Sequence, residues 1–164
     1  MNGIWIEILQ TFREEFSDIS DASQVTRVCI RLTVAVVLGG ILGYERESRG
    51  MSAGLRTHML VALGSALFVL VPLEGGMQVA DMSRVLQGVI AGIGFLGAGA
   101  IIKLSHEQEI KGLTTAASVW MTAAIGIAAG MGRESTAILS ALFALFILAA
   151  LRHVERRHKQ HKAG

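Results

Sequence analysis

Apolar residues fill five long stretches of the chain, and most polar residues lie between these stretches or beyond them. At 1.5 Å per residue the shortest stretch would cover roughly 25 Å as a helix, close to the roughly 30 Å thickness of a bilayer core. The pattern therefore predicts five transmembrane helices joined by short connections. The predicted spans are residues 25–43, 57–73, 85–104, 114–131 and 135–151.

The first 24 residues follow a different pattern. Apolar residues recur every four positions at Ile4, Ile8, Phe12 and Phe16. Acidic residues lie at other positions around the same helical turns. This spacing predicts an amphipathic helix in the membrane interface, although a polar tail with chance periodicity is an alternative. The predicted fold is all-α, a polytopic membrane helix bundle. Its parts are an interfacial segment (1–24), a five-span membrane domain (25–151) and a basic tail (152–164).

The composition agrees with a membrane protein. Hydrophobic residues make up 52% of the 164 residues, charged residues 17%, and there are 19 glycines. A soluble domain has about 25% charged residues and about 7% glycine. Cys29 is the only cysteine, so no intramolecular disulfide can form, and no Cys/His cluster resembles a zinc or haem site. We expect no cofactor and assign no metal ligand from the sequence.

Basic residues are divided unequally between the two sides of the predicted spans. Five of the 15 Lys and Arg residues lie on the N-terminal side and ten on the other side. The positive-inside rule therefore predicts an exterior N-terminus and a cytoplasmic C-terminus. Because these residues mostly flank apolar segments, membrane orientation explains them and we expect no nucleic acid partner.

Small residues four positions apart predict tight helix packing in three of the spans. We expect the first, third and fourth spans to form the packed centre, and the fifth span, which has no glycine, to face lipid. The pairs are Gly39 and Gly43, Gly88 and Gly92, and Gly126 and Gly130.

Three third-span glycines also satisfy the dinucleotide-binding pattern G-x-G-x-x-G, namely Gly92, Gly94 and Gly97. The pattern here lies inside an apolar run and has no preceding strand, so nucleotide binding is rejected. Together with Gly99, these glycines are candidates for helix packing or for a narrow path through the membrane.

Ionisable residues are concentrated between the first two spans. Because charges at membrane depth are energetically costly, they are candidates for a functional site. Glu45 and Arg49 would form an i, i+4 pair if the first helix continues, and His58 begins the next apolar helix. The group forms either an ion-paired anchor or a binding site. This predicted cytoplasmic cluster consists of Glu45, Arg46, Arg49, Arg56 and His58.

Two further polar groups lie near the spans. Arg31 has Asp81 and Glu74 as candidate partners, or reaches the headgroups by itself. Hydroxyls in the fourth span are expected to bond preceding carbonyls or a neighbouring helix. The predicted exterior-side residues are Arg31, Asp81, Arg84 and Gln87, and the fourth-span residues are Thr114 and Thr115.

Three motifs in order resemble the MgtC/SapB family of bacterial membrane proteins. The first is GYERESRG at 43–50 followed by AGLRTH at 53–58, the second is GIGFLGAG at 92–99, and the third is GLTTAA at 112–117 with Trp120. The resemblance implies five spans in the bacterial inner membrane and a topology that agrees with the charge distribution. It also implies a role in magnesium limitation, acid stress or survival in hosts.

The resemblance has two departures. Many family members carry a cytoplasmic ACT-like domain after the fifth span, and we expect the short SapB-like form without it. Virulence members, which resemble regulators that bind other membrane machines such as the ATP synthase, tend to have Asn and Cys where this chain has Thr114 and Met121.

The sequence contains no catalytic set, so we expect a protein that is not an enzyme. The expected function is regulation of magnesium or proton homeostasis or of envelope stress, through helix contacts with a membrane protein partner. We expect the protein to lie in the lipid bilayer and to form a homo-oligomer. The alternative function is an oligomeric channel or transporter for a cation or small solute.

Overall fold

The structure is a computed structural model that describes residues 2–15, 21–104 and 109–161. The predicted all-α fold is confirmed, with a two-stranded antiparallel hairpin as an addition. The elements are α1 (Asn2–Glu15), α2 (Ala22–Glu47), α3 (Leu55–Glu74), a 3-10 turn (Val79–Asp81), α4 (Met82–Gly99), β1 (Ile102–Leu104), β2 (Glu109–Lys111), α5 (Leu113–Gly130) and α6 (Glu134–His161).

Among the described residues, four helices are long and apolar enough to cross a membrane: α2, α3, α4 with its preceding turn, and α5. The apolar part of α6, Glu134–Ala149, is shorter. The predicted third span is too long at its end, because Ile102–Leu104 pairs with Glu109–Lys111 instead of continuing the helix. α6 continues to His161, through most of the residues assigned to the basic tail, which stays a prediction.

The chain forms two compact units, residues 1–30 and 31–164. In the first unit, α1 exposes Ile4, Ile8 and Phe12, while Phe16 lies outside the described residues. The interfacial position of α1 stays a prediction. Asp21 precedes α2, and its Oδ1 atom accepts hydrogen bonds from the Gln24 N–H at 2.7 Å and the Ser23 hydroxyl at 2.8 Å.

In the second unit, α5 and α3 are the most buried of the helices that could cross a membrane, so the predicted packed centre is right for the fourth span, α5, and wrong for the third, α4, which is the least buried. Ala62 of α3 is fully buried between glycines of two neighbouring helices. A Cβ atom on Gly39 of α2 would lie 2.8 Å from the Ala62 Cβ, and one on Gly126 of α5 would overlap the Ala62 backbone. Glycine on α2 and α5 therefore allows both backbones to approach the same alanine.

α6 joins this core through alanine. Ala137, Ala141 and Ala144 are buried with residues of α2 and α5, whereas the bulky side chains Phe143 and Phe146 are exposed. Only the bulky side of α6 is therefore free to face lipid as predicted, because the alanine side packs inward.

Candidate functional site

The cluster predicted between the first two spans is an ion-paired group at the end of α2. The Arg49 Nε atom lies 3.0 Å from Glu45 Oε1, and the Arg46 Nη1 atom lies 3.5 Å from Glu45 Oε2. Arg46 is only 4% exposed, and its Nε and Nη2 atoms have no hydrogen-bond partner among the described residues. One carboxylate therefore faces two guanidinium groups within a largely buried environment.

The loop that follows α2 brings α3 back against it. Gly50 has a φ of +67°, a conformation that glycine adopts without steric strain. The Leu55 N–H donates to Glu47 Oε2 at 2.7 Å, so a side chain of α2 satisfies a free backbone donor at the beginning of α3. A Cβ on Gly43 would lie 2.7 Å from the Leu55 Cα, which shows how closely the two backbones approach here.

His58 is fully buried and connects α3 to α5. Its Nδ1 atom lies 2.9 Å from the Gly54 carbonyl oxygen, and its Nε2 atom lies 3.2 Å from the Ser118 hydroxyl oxygen. The Ser118 hydroxyl is also 2.8 Å from the Thr115 carbonyl oxygen, to which it can donate. The Thr122 hydroxyl donates to the Ser118 carbonyl at 2.9 Å. The hydroxyls of Ser118 and Thr122 therefore bond preceding carbonyls of α5, and Ser118 also contacts His58 of α3.

The structure separates some residues that the sequence grouped together. Arg56 is exposed and takes no part in the two ion pairs of Glu45. Thr115 is buried with its hydroxyl 3.9 Å from the Met51 sulfur, whereas Thr114 is exposed. Thr114 and Ser118 also border a cavity of about 300 Å³ that is otherwise lined by apolar residues.

Two important contacts were missed in the sequence. No local spacing in the sequence links Ser118 to His58, which lies 60 positions away. Glu47 offered a weak signal, since it is an acidic residue just before a glycine-containing loop and a new apolar helix.

A second ionic group surrounds Arg31, which lies 3.6 Å from Glu74 and 4.0 Å from Glu134. Its Nη1 atom also lies 3.5 Å from the Gly130 carbonyl oxygen. Of the two candidate partners, the structure thus places Glu74 against Arg31. Gly132, with a φ of +73°, leaves the space that the guanidinium occupies, since a Cβ there would lie 2.6 Å from Arg31 Nη2.

The other predicted exterior-side residues are exposed: Asp81 ends the 3-10 turn, and Arg84 and Gln87 lie on α4. The glycines of α4 are open as well: in the described part of the chain, only Gly97 has an atom near its Cβ position, Ala116 at 3.7 Å. Among the described residues, the remaining α4 glycines therefore do not pack against another element. Those glycines are Gly88, Gly92, Gly94 and Gly99.

No group of three or more His, Cys, Asp or Glu side chains that could hold a metal ion occurs among the described residues.

Comparisons with known proteins identify the family. A model of the MgtC family matches residues 32–157. Protein SrpB of Synechococcus elongatus is 42% identical over 137 residues, which cover 77% of this chain and 75% of SrpB. YhiD of Escherichia coli, whose name describes it as a candidate magnesium transporter, is 44% identical over 73% of this chain and 58% of its own length.

Protein MgtC of Brucella abortus is 42% identical over 74% of this chain, and the match covers 50% of MgtC. The chain thus spans little more than half the length of two of these relatives. No solved structure matches it. The family match covers most of the chain and confirms the resemblance carried by the polar and glycine motifs: this chain belongs to the MgtC family.

Proposed function

We propose that this chain is a non-enzymatic protein of the bacterial inner membrane that regulates magnesium or proton homeostasis, or the response to envelope stress. It acts through contacts between its helices and another membrane protein. The magnesium part of this proposal rests on the family and on the name of the relative YhiD. The choice of regulation over transport rests on the closed arrangement of the Glu45 and His58 contacts.

A side chain that lines an ion path must present its charge or dipole to the ion or to water. Glu45 instead faces Arg46 and Arg49, and both ring nitrogens of His58 face groups of the protein itself. Removing one member of such a buried set leaves another without a partner. The observation supports a role of these residues in holding α2, α3 and α5 together.

His58 and Ser118 resemble a catalytic base and nucleophile, but their surroundings support a structural role. Both residues are buried, and the Ser118 hydroxyl lies within donating distance of the Thr115 carbonyl of its own helix. A catalytic serine must instead be reachable by a substrate. This supports the proposal that the protein is not an enzyme.

The alternative is an oligomeric channel or transporter. It is favoured by the buried guanidinium of Arg46, which has two nitrogen atoms without hydrogen-bond partners in the described part of the chain. Intramembrane charges often mark ion pathways. A rearrangement that exposed Arg46 and Glu45 would turn the ion-paired group into a polar path.

The orientation proposed is an exterior N-terminus and a cytoplasmic C-terminus, which rests on the distribution of Lys and Arg. Reporter fusions after Gly164 test it. Activity of a cytoplasm-dependent reporter is expected, and activity only of a periplasm-dependent reporter would reverse the orientation.

Reconstitution separates regulation from transport. The purified full chain is placed in liposomes that contain a fluorescent magnesium indicator, and uptake is measured under a magnesium gradient with and without a membrane potential. We expect no uptake above that of protein-free liposomes. In cells, deletion should impair growth at limiting magnesium, and the wild-type chain should restore it.

Matched variants define the result that would establish transport instead of regulation. Transport would be established by magnesium uptake that is lost in Glu45→Gln and retained in Arg56→Gln, since Arg56 is exposed and takes no part in the two ion pairs of Glu45. Regulation would be contradicted if deletion left growth at low magnesium unchanged.

A further inference from the structure

A groove with a volume of about 460 Å³ lies along α4, and Phe68 of α3 contributes to its lining. All its other lining residues belong to α4. They form two neighbouring rows in which successive residues are four positions apart, so the members of each row lie above one another on the helix. The inner row is Val85, Val89 and Ile93, and the outer row is Arg84, Gly88, Gly92 and Leu96. We name this feature the α4 groove.

The two glycines of the outer row keep the α4 groove open. No atom lies within 4 Å of the position that a Cβ on Gly88 or Gly92 would occupy. The inner row packs toward α5, since Val89 and Ile93 belong to a core cluster with residues of that helix. Leu96 is exposed at the far end. The α4 groove is therefore an apolar channel along bare helix backbone, and it is open to the surroundings of the bundle.

One end of the α4 groove carries a charge. Arg84 is the only charged residue among those that line it, and its side chain is exposed at the beginning of α4. Asp81 is exposed three positions earlier, immediately before the helix. Neither residue forms an ion pair in the part of the chain that the structure describes. A ligand can therefore pair with both charges where a spanning helix meets the headgroups.

The dimensions of the α4 groove match one acyl chain. From Arg84 to Leu96 the helix rises by about 18 Å, close to half of the roughly 30 Å thickness of a bilayer core. An apolar cavity of about 150 Å³ binds benzene, a ring of six carbons. At about 460 Å³ the groove is about three times as large, so it has room for roughly 18 carbons. It is thus long enough and wide enough for a lipid tail that reaches from the headgroups to the bilayer centre.

We propose that the α4 groove binds a phospholipid, with the phosphate at Arg84 and one acyl chain along Gly88 and Gly92. Charge complementarity selects this occupant, because a guanidinium offers parallel N–H donors to two phosphate oxygens. Asp81 lies about 4.5 Å nearer the membrane surface than Arg84, where the ammonium of an ethanolamine headgroup follows the phosphate. The charges therefore favour phosphatidylethanolamine. The site goes beyond the proposed function, since a regulator and a transporter can both bind this lipid.

Native mass spectrometry of the full chain in mild detergent tests the headgroup contact. Phosphatidylethanolamine is added at increasing concentrations, and the fraction of chains that retain one lipid is measured. Arg84→Gln should weaken binding at least about tenfold, because it removes a hydrogen-bonded charge pair. Arg133→Gln is the matched control, since Arg133 is also exposed but does not line the groove. It should bind the lipid as the wild type does.

Filling the α4 groove tests the position of the acyl chain. Gly92→Leu and, independently, Gly88→Leu should each weaken binding about tenfold, because the new side chain would occupy space that the lipid tail needs. Gly94→Leu is the control on the same helix: Gly94 also has no atom within 4 Å of its Cβ position, but it does not line the groove. Far-UV circular dichroism checks that each variant keeps the helix content of the wild type.

Two further ligands test the chemistry of the occupant. Glycerophosphoethanolamine, which has the headgroup without the acyl chains, should bind at least about tenfold more weakly than the lipid, because it buries no apolar chain. Phosphatidylglycerol lacks the ammonium group and should bind more weakly to the wild type. Asp81→Asn should remove this difference between the two lipids.

Four results would overturn the proposal. They are unchanged lipid binding in Arg84→Gln, unchanged binding in both Gly88→Leu and Gly92→Leu, equal binding of the headgroup without its chains, and a second copy of the chain bound in place of lipid. Equal affinities of the wild type for the two lipids, or a preference that persists in Asp81→Asn, would overturn the assignment of phosphatidylethanolamine.

Discussion

The Nε2 atom of His58 lies 3.2 Å from the Ser118 hydroxyl oxygen, and this contact joins α3 to α5 inside the bundle. The Gly54 carbonyl can only accept, so its hydrogen bond assigns a proton to His58 Nδ1. In the neutral ring, Nε2 is then an acceptor. The single Ser118 proton is therefore shared between His58 and the Thr115 carbonyl.

Ser118→Ala should destabilise the protein by about 1–3 kcal/mol, because it leaves the buried Nε2 of His58 without a hydrogen-bond partner. Far-UV circular dichroism during titration with SDS in detergent micelles measures the loss of helix. Thr114→Ala is the control, since Thr114 is an exposed hydroxyl residue on the same helix and its loss should change stability by less than about 0.5 kcal/mol. Equal effects of the two variants would show that the contact with His58 contributes nothing.

Gly126→Ala should destabilise the protein by about 1–3 kcal/mol, because the added methyl group would overlap the backbone of Ala62. The same SDS titration checks this value. Gly64→Ala is the matched change on α3: its methyl group would meet no atom within 4 Å, and the better helix propensity of alanine should stabilise the helix slightly. If Gly126→Ala were as stable as Gly64→Ala, α3 and α5 would not approach as closely as described.

Glu45→Gln should destabilise the protein by about 3–5 kcal/mol, because Arg46 would keep a buried charge without its counterion. Arg49→Gln should cost no more than about 1 kcal/mol, since Arg49 is 31% exposed and its charge is partly solvated. Thermal melts in detergent distinguish these values. The double change Glu45→Gln with Arg46→Met should recover much of the loss, and a double variant no more stable than Glu45→Gln would argue against an unpaired charge as the cause.

Arg31→Gln should lower stability more than Arg84→Gln. Arg31 faces Glu74, Glu134 and the Gly130 carbonyl, and so connects α2 with three other helices. Arg84 is exposed and makes no ion pair among the described residues. Thermal melts of both variants in detergent make the comparison. Equal decreases in melting temperature for the two variants would show that the contacts of Arg31 with the neighbouring helices do not stabilise the protein.

Asp21→Asn should change the pH dependence of stability at the beginning of α2. The hydrogen bond from the Gln24 N–H, assisted by the Ser23 hydroxyl, lowers the pKa of Asp21. A lowered pKa means that the ionised group stabilises the folded state above its unfolded pKa of about 3.9, and that this contribution is lost as the pH falls through the folded pKa. The wild-type advantage in melting temperature over Asp21→Asn should therefore be present at pH 7 and shrink below about pH 4. An advantage independent of pH would exclude this cause.

The helices and the family could be predicted from the amino-acid sequence alone. An apolar run in lipid must satisfy its backbone groups internally, so the run of residues from Val25 onward has few alternatives to a helix. The ends of the helices were less well predicted where another local structure competes with the helix. Ile102–Leu104, for example, pairs with a second strand instead of continuing α4. The pair Glu45 and Arg49 was predictable because one helical turn brings such residues together.

The place of α3 beside α5 in the packed centre, and the polar groups that meet there, could not be read from the sequence. Apolar helices look alike on most faces in lipid, so small residues on α2, α4 and α5 did not reveal that α3 would lie between Gly39 and Gly126. His58 and Ser118 are 60 positions apart, and no local spacing relates them. Their contact follows from the close approach of α3 and α5, which depends on packing among all the helices and is therefore not readable from any one segment.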